Sequence, residues 1–263
     1  SYLRLLTQIV GKKLIIANAT GCTSIYGGSA PSTPYSIPWA NSLFEDNAEF
    51  ALGMYLSGKQ KRQQIANIME QSLLAVNDEV KEKFTTWLEN KEDFDITYKL
   101  KHELNELEIP KDLKDLIDYI PARSIWAVGG DGWAYDIGFG GIDHILSGND
   151  PVKVLVLDTE VYSNTGGQMS KSSKIGSVAE FADFGKRNTK KDLFKIAMCY
   201  PNCYVGSISL GADFNQTIKT IKEAEEHDAG REGSDPQEFY SDFQRGGIRD
   251  KQTHDLMREQ LVH

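Results

Sequence analysis

A glycine-rich turn and a polar loop lie one helix and one strand apart in residues 129–167, and this spacing restricts the fold more than any other feature. The apolar run 124–128 precedes the turn Gly130-Asp131-Gly132, and a second apolar run follows at 152–157. The segment between the runs has the length of a helix. Parallel strands need such a crossover, because a short hairpin joins only antiparallel strands. The spacing therefore predicts a parallel βαβ unit.

The same alternation of apolar runs and helical patterns extends along the chain. Further strands are predicted at residues 14–17 and 204–209, and helices at 2–10, 46–54, 133–145, 177–184, 193–200 and 214–226. A capping-box spacing from Ser42 to Glu45 supports the helix at 46–54. Strands that alternate with helices predict an α/β protein with a doubly wound, mostly parallel sheet.

Residues 58–119 have a different pattern, which is charged and helical. Apolar residues recur there at the spacing of one helix face, namely Ile65, Met69, Leu73, Val76, Val80, Phe84 and Trp87. We expect two or three amphipathic helices that form an insertion between strands. The predicted organisation is one domain over residues 1–228 that includes this insertion of about 58–119. A divergent tail at 229–263 is expected either to pack on another domain or subunit or to be partly disordered.

Composition and charge exclude several classes of protein. The 263 residues carry a formal net charge of −9 with a pI near 5.1, whereas nucleic-acid binding needs a basic surface. The sequence has neither an apolar run long enough for a membrane helix nor a signal peptide. Three cysteines do not form a disulfide framework, so we expect a reducing, cytoplasmic setting. Because Ser1 enters a helical pattern at once, we expect the chain to begin inside a larger polypeptide.

Oxygen-bearing residues at both ends of segment 129–167 predict a site for a magnesium diphosphate. Asp131 supplies a carboxylate after one strand, and residues 159–161 supply further oxygen atoms after the next strand. Mg²⁺ prefers octahedral oxygen and combines one or two carboxylates with phosphate and water oxygens. Glycines allow the backbone to approach phosphates closely. Two simpler interpretations stay open, in which Asp131 only caps the following helix and residues 164–167 form a plain turn.

Three motifs that occur in this order resemble one family. They are NATGC at residues 18–22, GDGWAYDIGFGG at 130–141 and LDTEVYSNTGGQMSKSS at 157–173. Together they are similar to the thiamine-diphosphate-binding domain of pyruvate:ferredoxin (flavodoxin) oxidoreductase. The resemblance covers roughly residues 1–228. A lone GDG motif would be weak evidence, but the three motifs at this spacing are specific.

The resemblance assigns roles to individual residues. It implies that Mg²⁺ is bound by Asp131, Thr159 and the carbonyl oxygen of Val161. It further implies a diphosphate lining of Gly130, Gly132 and Trp133 and an opposite wall of Glu160, Tyr162, Ser163 and Asn164. Asn164 is the implied catalytic residue, near the thiazolium and the bound 2-oxoacid. A side-chain amide there can donate to the carbonyl oxygen on which negative charge develops.

The resemblance also implies a 4Fe–4S cluster, for which Cys22 of the NATGC motif is one ligand. Such a cluster needs four thiolates, and the family supplies the others from segments that this sequence lacks. Cys199 and Cys203 do not have the spacing of those segments, and we expect both to be buried free thiols. In this family the glutamate that activates the thiamine also comes from another domain.

The implied function is that of one part of a 2-oxoacid oxidoreductase, incomplete for turnover by itself. Such an enzyme decarboxylates pyruvate oxidatively with CoA, giving acetyl-CoA and CO₂, and reduces ferredoxin or flavodoxin in anaerobic metabolism. The expected partners are these molecules, other domains of the same enzyme and a second copy in a homodimer, but neither nucleic acid nor a membrane. Two alternatives stay open: the NADP-linked fusion form of the enzyme, and a degenerate thiamine-binding module without catalysis.

Overall fold

A four-stranded parallel sheet forms the centre of the computed structural model, which describes residues 2–21, 23–24, 39–162 and 164–227. Its strands are β1 (Leu14–Ala19), β2 (Trp39–Ser42), β3 (Ser124–Gly129) and β4 (Lys153–Val156). Their order is β2-β1-β3-β4, and each neighbouring pair is parallel. The predicted α/β class with a mostly parallel sheet is confirmed.

Helices connect these strands and cover both faces of the sheet. They are α1 (Tyr2–Val10), α2 (Asn47–Ser72), α3 (Asp78–Glu89), α4 (Phe94–Asn105), α5 (Lys111–Lys114), α6 (Phe139–Ser147), α7 (Leu193–Ala197) and α8 (Phe214–Glu226). A π-helical turn at Gly132–Asp136 precedes α6, and an antiparallel ribbon pairs β5 (Val161–Tyr162) with β6 (Gln168–Met169). Among the described residues, no helix combines the length and the apolar character needed to cross a membrane.

The two faces of the sheet carry separate hydrophobic cores. Successive side chains of a strand point to opposite sides, so alternate residues of β1 and β3 enter different cores. One core lies beneath α2 and α6, and the other lies beneath α1 and α8. The first core includes Ala17, Ala127 and Ile142, and the second includes Ile16, Trp126 and Ile221. Because both faces are covered by helices, the central strands β1 and β3 are apolar at most positions.

A polar contact fastens α8 to the central strand β3. Glu225 Oε2 accepts hydrogen bonds from Ser124 Oγ and Trp126 Nε1, both at 2.8 Å, and Glu225 Oε1 lies 2.8 Å from Lys13 Nζ. Trp126 is only 3% exposed, so its side chain lies in the core. A buried indole N–H needs an acceptor. Glu225 therefore allows this large ring to fill the core without an unmet donor.

The predicted helical insertion is present and has a third core of its own. Helix α2 begins beside the sheet at Asn47 and continues without a break into the insertion. Its residues Ile65 and Met69 pack there with Phe84 and Trp87 of α3. The first helix of the insertion is thus shared with the sheet. The division into residues 1–228 and a tail at 229–263 stays a prediction, since residues 228–263 lie outside the described part of the chain.

The helix predicted at 46–54 is present, but its predicted capping box is wrong. Ser42 is the last residue of β2, and Asp46 precedes the helix without a side-chain capping bond. The carbonyl of Ser42 instead accepts a 2.9 Å hydrogen bond from Thr20 N. The hydrogen bond between the chain after β1 and the end of β2 therefore takes precedence over the helix cap that the local spacing predicts.

The predictions for residues 177–184 and 204–209 are wrong. Residues 177–184 form turns and isolated bridges, because the backbone pairs across their ends: Gly176 N donates to Lys186 O and Lys186 N to Ser177 O. Residues 204–209 have no strand pairing among the described residues. Gly206 instead packs so closely on α8 that a Cβ would overlap Thr220. Elsewhere, helix 133–145 begins as the π-helical turn, and helix 193–200 ends at Ala197.

Gly129, the last residue of β3, should not tolerate a side chain. A Cβ at this position would overlap the Trp133 ring and lie 2.9 Å from the Cβ of Ala19. We expect Gly129→Ala to lower the free energy of unfolding by about 1–3 kcal/mol, the usual cost of overpacking. Gly140→Ala is the matched control in urea unfolding, because its position in α6 has open space and favours Ala by about 0.5 kcal/mol. Equal stability of the two variants would contradict the close packing of Trp133 against Gly129.

Candidate functional site

The candidate site lies at the edge of the sheet where β3 and β4 end. The two strands end side by side, with Gly129 opposite Val156, and Leu157 N donates to Gly129 O at 2.8 Å. The loop after β3 contains Asp131, and the loop after β4 contains Thr159. Ligands of open parallel sheets bind outside the carboxyl ends of the strands. The topology therefore brings the two halves of the predicted site to the expected edge.

Three oxygen atoms proposed as metal ligands are neighbours in the structure. Asp131 Oδ1 accepts a 3.0 Å hydrogen bond from Thr159 N and lies 3.4 Å from Thr159 Oγ1. Thr159 Oγ1 donates to the carbonyl oxygen of Val161 at 2.9 Å. Asp131 makes no capping bond to the helical turn that follows it, so the simpler interpretation of Asp131 as a helix cap is wrong. We call this set of Asp131, Thr159 and Val161 oxygens the oxygen cluster.

The carboxylate of the oxygen cluster is buried without a cation. Asp131 is 1% exposed, and burial raises its pKa to about 6, although donors from Thr159 and Ser170 oppose the shift. None of the lysines and arginines in the described ranges forms an ion pair with Asp131. A buried charge is costly unless it is paired or coordinates a metal. The position of Asp131 thus favours a cation that this part of the chain does not supply.

Asp158, in the loop after β4, differs from Asp131 because its pKa is lowered and not raised. Desolvation alone would raise its pKa, but hydrogen bonds from Lys190 and Ser172 outweigh that effect and hold the pKa below its ordinary value. Lys190 Nζ lies 2.5 Å from Asp158 Oδ2, and Tyr135 donates to the same oxygen at 2.9 Å. Asp158 is therefore neutralised within the protein, which leaves Asp131 as the carboxylate that lacks a partner charge.

A loop of three serines and a lysine supports both carboxylates from one side. Residues 170–173, here called the serine loop, have buried Ser170, Ser172 and Ser173. Ser170 Oγ donates to Asp131 Oδ2 at 2.8 Å, and Ser172 Oγ donates to Asp158 Oδ1. Ser173 Oγ donates to the carbonyl of Glu160 and accepts from Ser170 N at 2.9 Å. The side chains of the serine loop thus fix the positions of the two carboxylates and of the chain between them.

Sequence reasoning did not assign a role to the serine loop. The signal available was SKSS directly after the NTGGQM segment, a run of short hydroxyl side chains that the structure buries. Hydroxyl groups suit this position, because each can donate to a carboxylate and accept from a backbone N–H at the same time. Their targets lie far away in the chain, so spacing alone does not identify them.

The predicted opposite wall lies on and beside the β5–β6 ribbon. Tyr162 donates from its hydroxyl to Asp136 Oδ2 at 2.5 Å, and burial together with Asp136 raises the Tyr162 pKa. Gly167 N donates to Tyr162 O at 2.9 Å, which closes the turn of the ribbon. Asn164 lies in this turn and is exposed, so residues 164–167 do form a turn. Ser163 lies outside the described residues.

Glu160 lies in the chain between the oxygen cluster and the serine loop. It is one of the few non-glycine residues with a left-handed backbone, at φ 63°. Glu160 N donates to Asp158 Oδ1 at 3.2 Å, and its carboxylate pairs with Lys190 at 3.4 Å and Lys174 at 3.5 Å. Strained backbone of this kind persists only where neighbouring contacts hold it. These contacts fix the bend that turns Val161 O towards Thr159.

The residues predicted to line the diphosphate do not all lie at the site with their side chains. Gly132 lies at the site edge, where an added Cβ would be 3.4 Å from the rings of Phe44 and Tyr162. Gly130 accepts a 3.0 Å bond from Ala134 N through its carbonyl oxygen. The Trp133 side chain is 1% exposed and belongs to the core beneath α2 and α6. Only the backbone of Trp133 is therefore available at the edge of the sheet.

The NATGC motif begins in the last two residues of β1, at the same edge of the sheet. Asn18 is buried, and its Nδ2 donates to Asn41 Oδ1 at 2.8 Å and to Ser24 Oγ at 2.9 Å. Thr23 Oγ1 donates to the carbonyl of Ala19 at 2.7 Å, which curls the chain back onto the strand end. Cys22 itself lies outside the described residues, so its expected role as a cluster ligand stays a prediction.

The expectation that both remaining cysteines are buried is wrong for Cys199. Both thiols are free, but Cys199 is exposed after the short helix α7, and Cys203 is half-buried. Cys203 Sγ donates to Leu146 O at 3.2 Å, and burial raises its pKa. Leu146 lies in the last turn of α6, which returns to the start of β4. Cys203 is therefore at the opposite edge of the sheet from Asp131.

No protein-only metal centre is found within the described ranges, where His, Cys, Asp and Glu side chains form no group of three. The oxygen cluster has one carboxylate, one hydroxyl and one carbonyl. Mg²⁺ binds weakly to such a set alone, but it completes its octahedron with phosphate and water oxygens. The donor set therefore fits magnesium that arrives with a diphosphate.

Comparison with known proteins identifies a family at these residues. Residues 116–229 match the family described as thiamine pyrophosphate enzyme, C-terminal TPP binding domain. The chain is 50% identical over 240 residues to a pyruvate-flavodoxin oxidoreductase of Klebsiella pneumoniae, which covers 85% of this chain. It is 46% identical over 248 residues to a pyruvate:ferredoxin oxidoreductase of Moorella thermoacetica, with 86% of this chain covered.

A third relative carries a different name. It is a pyruvate dehydrogenase [NADP(+)] of Cryptosporidium parvum, 40% identical over 277 residues, which covers 86% of this chain and 14% of the relative. The chain spans about one fifth of the length of the first two relatives, at 20% and 21%. Residues 116–229 belong to the C-terminal domain family of thiamine pyrophosphate enzymes, and the chain is related over most of its length to one part of pyruvate:ferredoxin (flavodoxin) oxidoreductases.

Proposed function

We propose that this chain binds magnesium thiamine diphosphate as one part of an oxidoreductase that decarboxylates pyruvate with CoA and reduces ferredoxin or flavodoxin. The observation that carries the proposal is the oxygen cluster, in which a buried Asp131 without a cation lies beside two further oxygen ligands. The relatives support the reaction, because those named above act on pyruvate according to their names.

The oxygen cluster would hold the metal through Asp131 Oδ1, Thr159 Oγ1 and the carbonyl of Val161. These atoms leave the other positions of an octahedron to diphosphate and water oxygens. Gly130 and Gly132 would allow the backbone to approach the phosphates, and the opposite wall would consist of Glu160, Tyr162, Ser163 and Asn164. The serine loop holds Asp131 in place before the metal arrives, so less ordering is needed on binding.

When bound, thiamine diphosphate supplies the carbanion chemistry by which a 2-oxoacid loses its carboxylate as CO₂. The chain's own contribution is position and charge. Asn164, exposed in the turn of the ribbon, would donate its side-chain N–H to the carbonyl oxygen of pyruvate. Negative charge grows on that oxygen during the reaction, and a donor fixed there stabilises the transition state more than the ground state.

Electron transfer and turnover would depend on groups beyond the described residues. Cys22 would supply one thiolate to a 4Fe–4S cluster that needs four. The same proposal includes three further parts, namely the glutamate that activates the thiamine, the site for CoA and the second copy of a homodimer. The NADP-linked form is the second candidate, since one relative is a pyruvate dehydrogenase [NADP(+)]. An appended flavin module in the complete protein would distinguish that form.

Asp131→Asn should abolish magnesium-dependent binding of thiamine diphosphate. The substitution keeps the shape of the side chain but removes the charge that Mg²⁺ needs, so we expect a loss of affinity of at least about 100-fold. Calorimetric titration with Mg²⁺ and thiamine diphosphate measures it. Asp150→Asn is the control, because this carboxylate forms only an exposed pair with Lys59 at 3.5 Å. Unchanged affinity of Asp131→Asn would rule out the proposed ligand.

The same variant should stabilise the metal-free protein at neutral pH. Because the Asp131 pKa is raised from 3.8 to about 6, its protonated form favours the folded state below pH 3.8, and this stabilisation is lost as the pH rises through 6. The loss is worth up to about 3 kcal/mol. In urea unfolding with a chelator, the variant should therefore gain stability relative to the unsubstituted protein between about pH 4 and pH 7. If the difference in stability between the two proteins did not change with pH, this would contradict the raised pKa of Asp131.

Asn164→Ala should lower turnover more than cofactor affinity. An amide that acts on the developing charge contributes to kcat, and its loss typically costs about 100-fold or more. Steady-state kinetics of the complete enzyme with pyruvate, and calorimetry of the same enzyme with magnesium thiamine diphosphate, give the two quantities. Thr165→Ala, in the same exposed turn, is the control for local disruption. Equal losses of turnover and affinity in Asn164→Ala would indicate a binding role only.

A further inference from the structure

Lys186 is a buried lysine that forms no ion pair within the described part of the chain. Lys186 is 7% exposed. Its Nζ donates to the carbonyl of Ser173 at 2.6 Å and to the carbonyl of Lys171 at 3.1 Å. Burial lowers the pKa of Lys186, Asp136 opposes that shift, and Lys190 and Lys171 add to it. Lysine is almost never fully buried unless its charge is paired. Here both hydrogen bonds end on the backbone of the serine loop.

The backbone around Lys186 directs the side chain towards that loop. Gly176 N donates to Lys186 O at 2.8 Å, and Lys186 N donates to Ser177 O at 2.9 Å. Gly185 has a left-handed φ of 83°, and an added Cβ would lie 2.9 Å from the Gly176 carbonyl oxygen. This closed segment of residues 176–186 replaces the helix that the sequence predicts. It returns the chain to the serine loop, so that Nζ reaches two backbone carbonyls of the loop.

The serine loop connects Lys186 with three residues of the candidate site. Ser170, Ser172 and Ser173 donate to Asp131, Asp158 and the Glu160 carbonyl respectively. The carbonyls that accept from Lys186 belong to this same loop. Without Lys186 the Ser173 carbonyl loses its buried donor, whereas the Lys171 carbonyl keeps a 2.9 Å hydrogen bond from Lys191 N. A buried acceptor left unsatisfied costs free energy, which favours a movement of the loop at Ser173. A movement of the loop would displace the hydroxyls that hold the two carboxylates.

We propose that Lys186 is a positioning residue for the magnesium site, which holds the serine loop in the conformation that orients Asp131. This inference rests on the proposed function of the site. Lys186 touches neither the metal nor the cofactor in this scheme, and it acts only through the loop. Residues that orient metal ligands typically change the affinity by about 10–100-fold when they are removed.

The test uses Lys186→Met, which keeps the length of the side chain but removes both hydrogen bonds. The protein is purified anaerobically in its native form, and thiamine diphosphate affinity is measured by calorimetry in the presence of Mg²⁺. Lys195→Met is the matched control, because Lys195 is 80% exposed and pairs only with Asp192 of its own helical turn. We expect Lys186→Met to weaken the affinity about 10-fold or more and Lys195→Met to leave it unchanged.

Two further measurements separate positioning from a general loss of stability. Mn²⁺ in place of Mg²⁺ gives an electron paramagnetic resonance spectrum of the metal with thiamine diphosphate, and Lys186→Met should broaden or shift it. Lys186→Gln keeps an N–H donor and should recover part of the affinity. If Lys186→Met does not fold, Lys186→Leu and Lys186→Ala take its place, because neither has an N–H donor, and native affinity and spectra in either would overturn the proposal.

A double substitution tests whether Lys186 acts through the serine loop. Ser170→Ala removes the hydroxyl that holds Asp131 Oδ2, and it should weaken binding by about the same factor. In that background, Lys186→Met should cause little further loss, because the two residues belong to one network. Losses that multiply would overturn the proposed route.

The possible results distinguish this inference from the function on which it rests. Native affinity in Lys186→Met, with native binding in the unsubstituted protein, would overturn the positioning role and leave the magnesium site intact. Failure of the unsubstituted protein to bind magnesium thiamine diphosphate would overturn both. Weaker binding with a changed Mn²⁺ spectrum and recovery in Lys186→Gln would support both.

Discussion

The buried carboxylate of Asp131 is the constraint on which the candidate site depends. A charge removed from water is stable only when donors or a cation replace its hydration. The chain supplies donors from Thr159 and Ser170 but no cation from its described residues. Asp158 shows the alternative, since Lys190 neutralises it directly. The site therefore separates a carboxylate already paired within the protein from one that has no partner charge among the described residues.

The parallel sheet makes this arrangement possible. Since neighbouring strands run in the same direction, the loops after β3 and β4 leave the sheet at the same edge, and Gly129 lies opposite Val156. The absence of a Cβ at Gly129 lets the Trp133 ring pack against the strand end. Trp133 and Asp131 are both 1% exposed, so the ring and the carboxylate at this end of the strand are shielded from water.

Support for the site extends outward in successive contacts. Thr159 and Ser170 touch Asp131, the serine loop connects Asp131 with Asp158 and Glu160, and Lys186 holds the loop from behind. Each contact satisfies a buried polar group, so a loss at one point leaves an unmet donor or acceptor at the next. Rigidity of this kind suits the proposed magnesium site, which would need its ligand oxygens in place before the metal binds.

Local sequence patterns were reliable where the structure depends on neighbours in the chain. The apolar periodicity of α1 and α8 located both helices at their observed bounds, and the alternation of strands and helices gave the fold class. Patterns failed where a distant partner decides. Residues 177–184 have a helical pattern, yet Gly176 and Lys186 pair across them. Ser42 has the spacing of a cap, yet it accepts a bond from Thr20 after β1.

The sequence by itself determined which residues to expect at this protein's candidate site. The spacing of Asp131, Thr159 and Val161, together with the resemblance in their motifs, predicted as magnesium ligands three oxygen atoms that lie together in the structure. Only the tertiary structure decided which carboxylate lacks a cation, and that three buried serines and Lys186 support the site. Those facts depend on burial and on contacts between distant residues, because the cost of a charge is set by its surroundings and not by its neighbours in the chain.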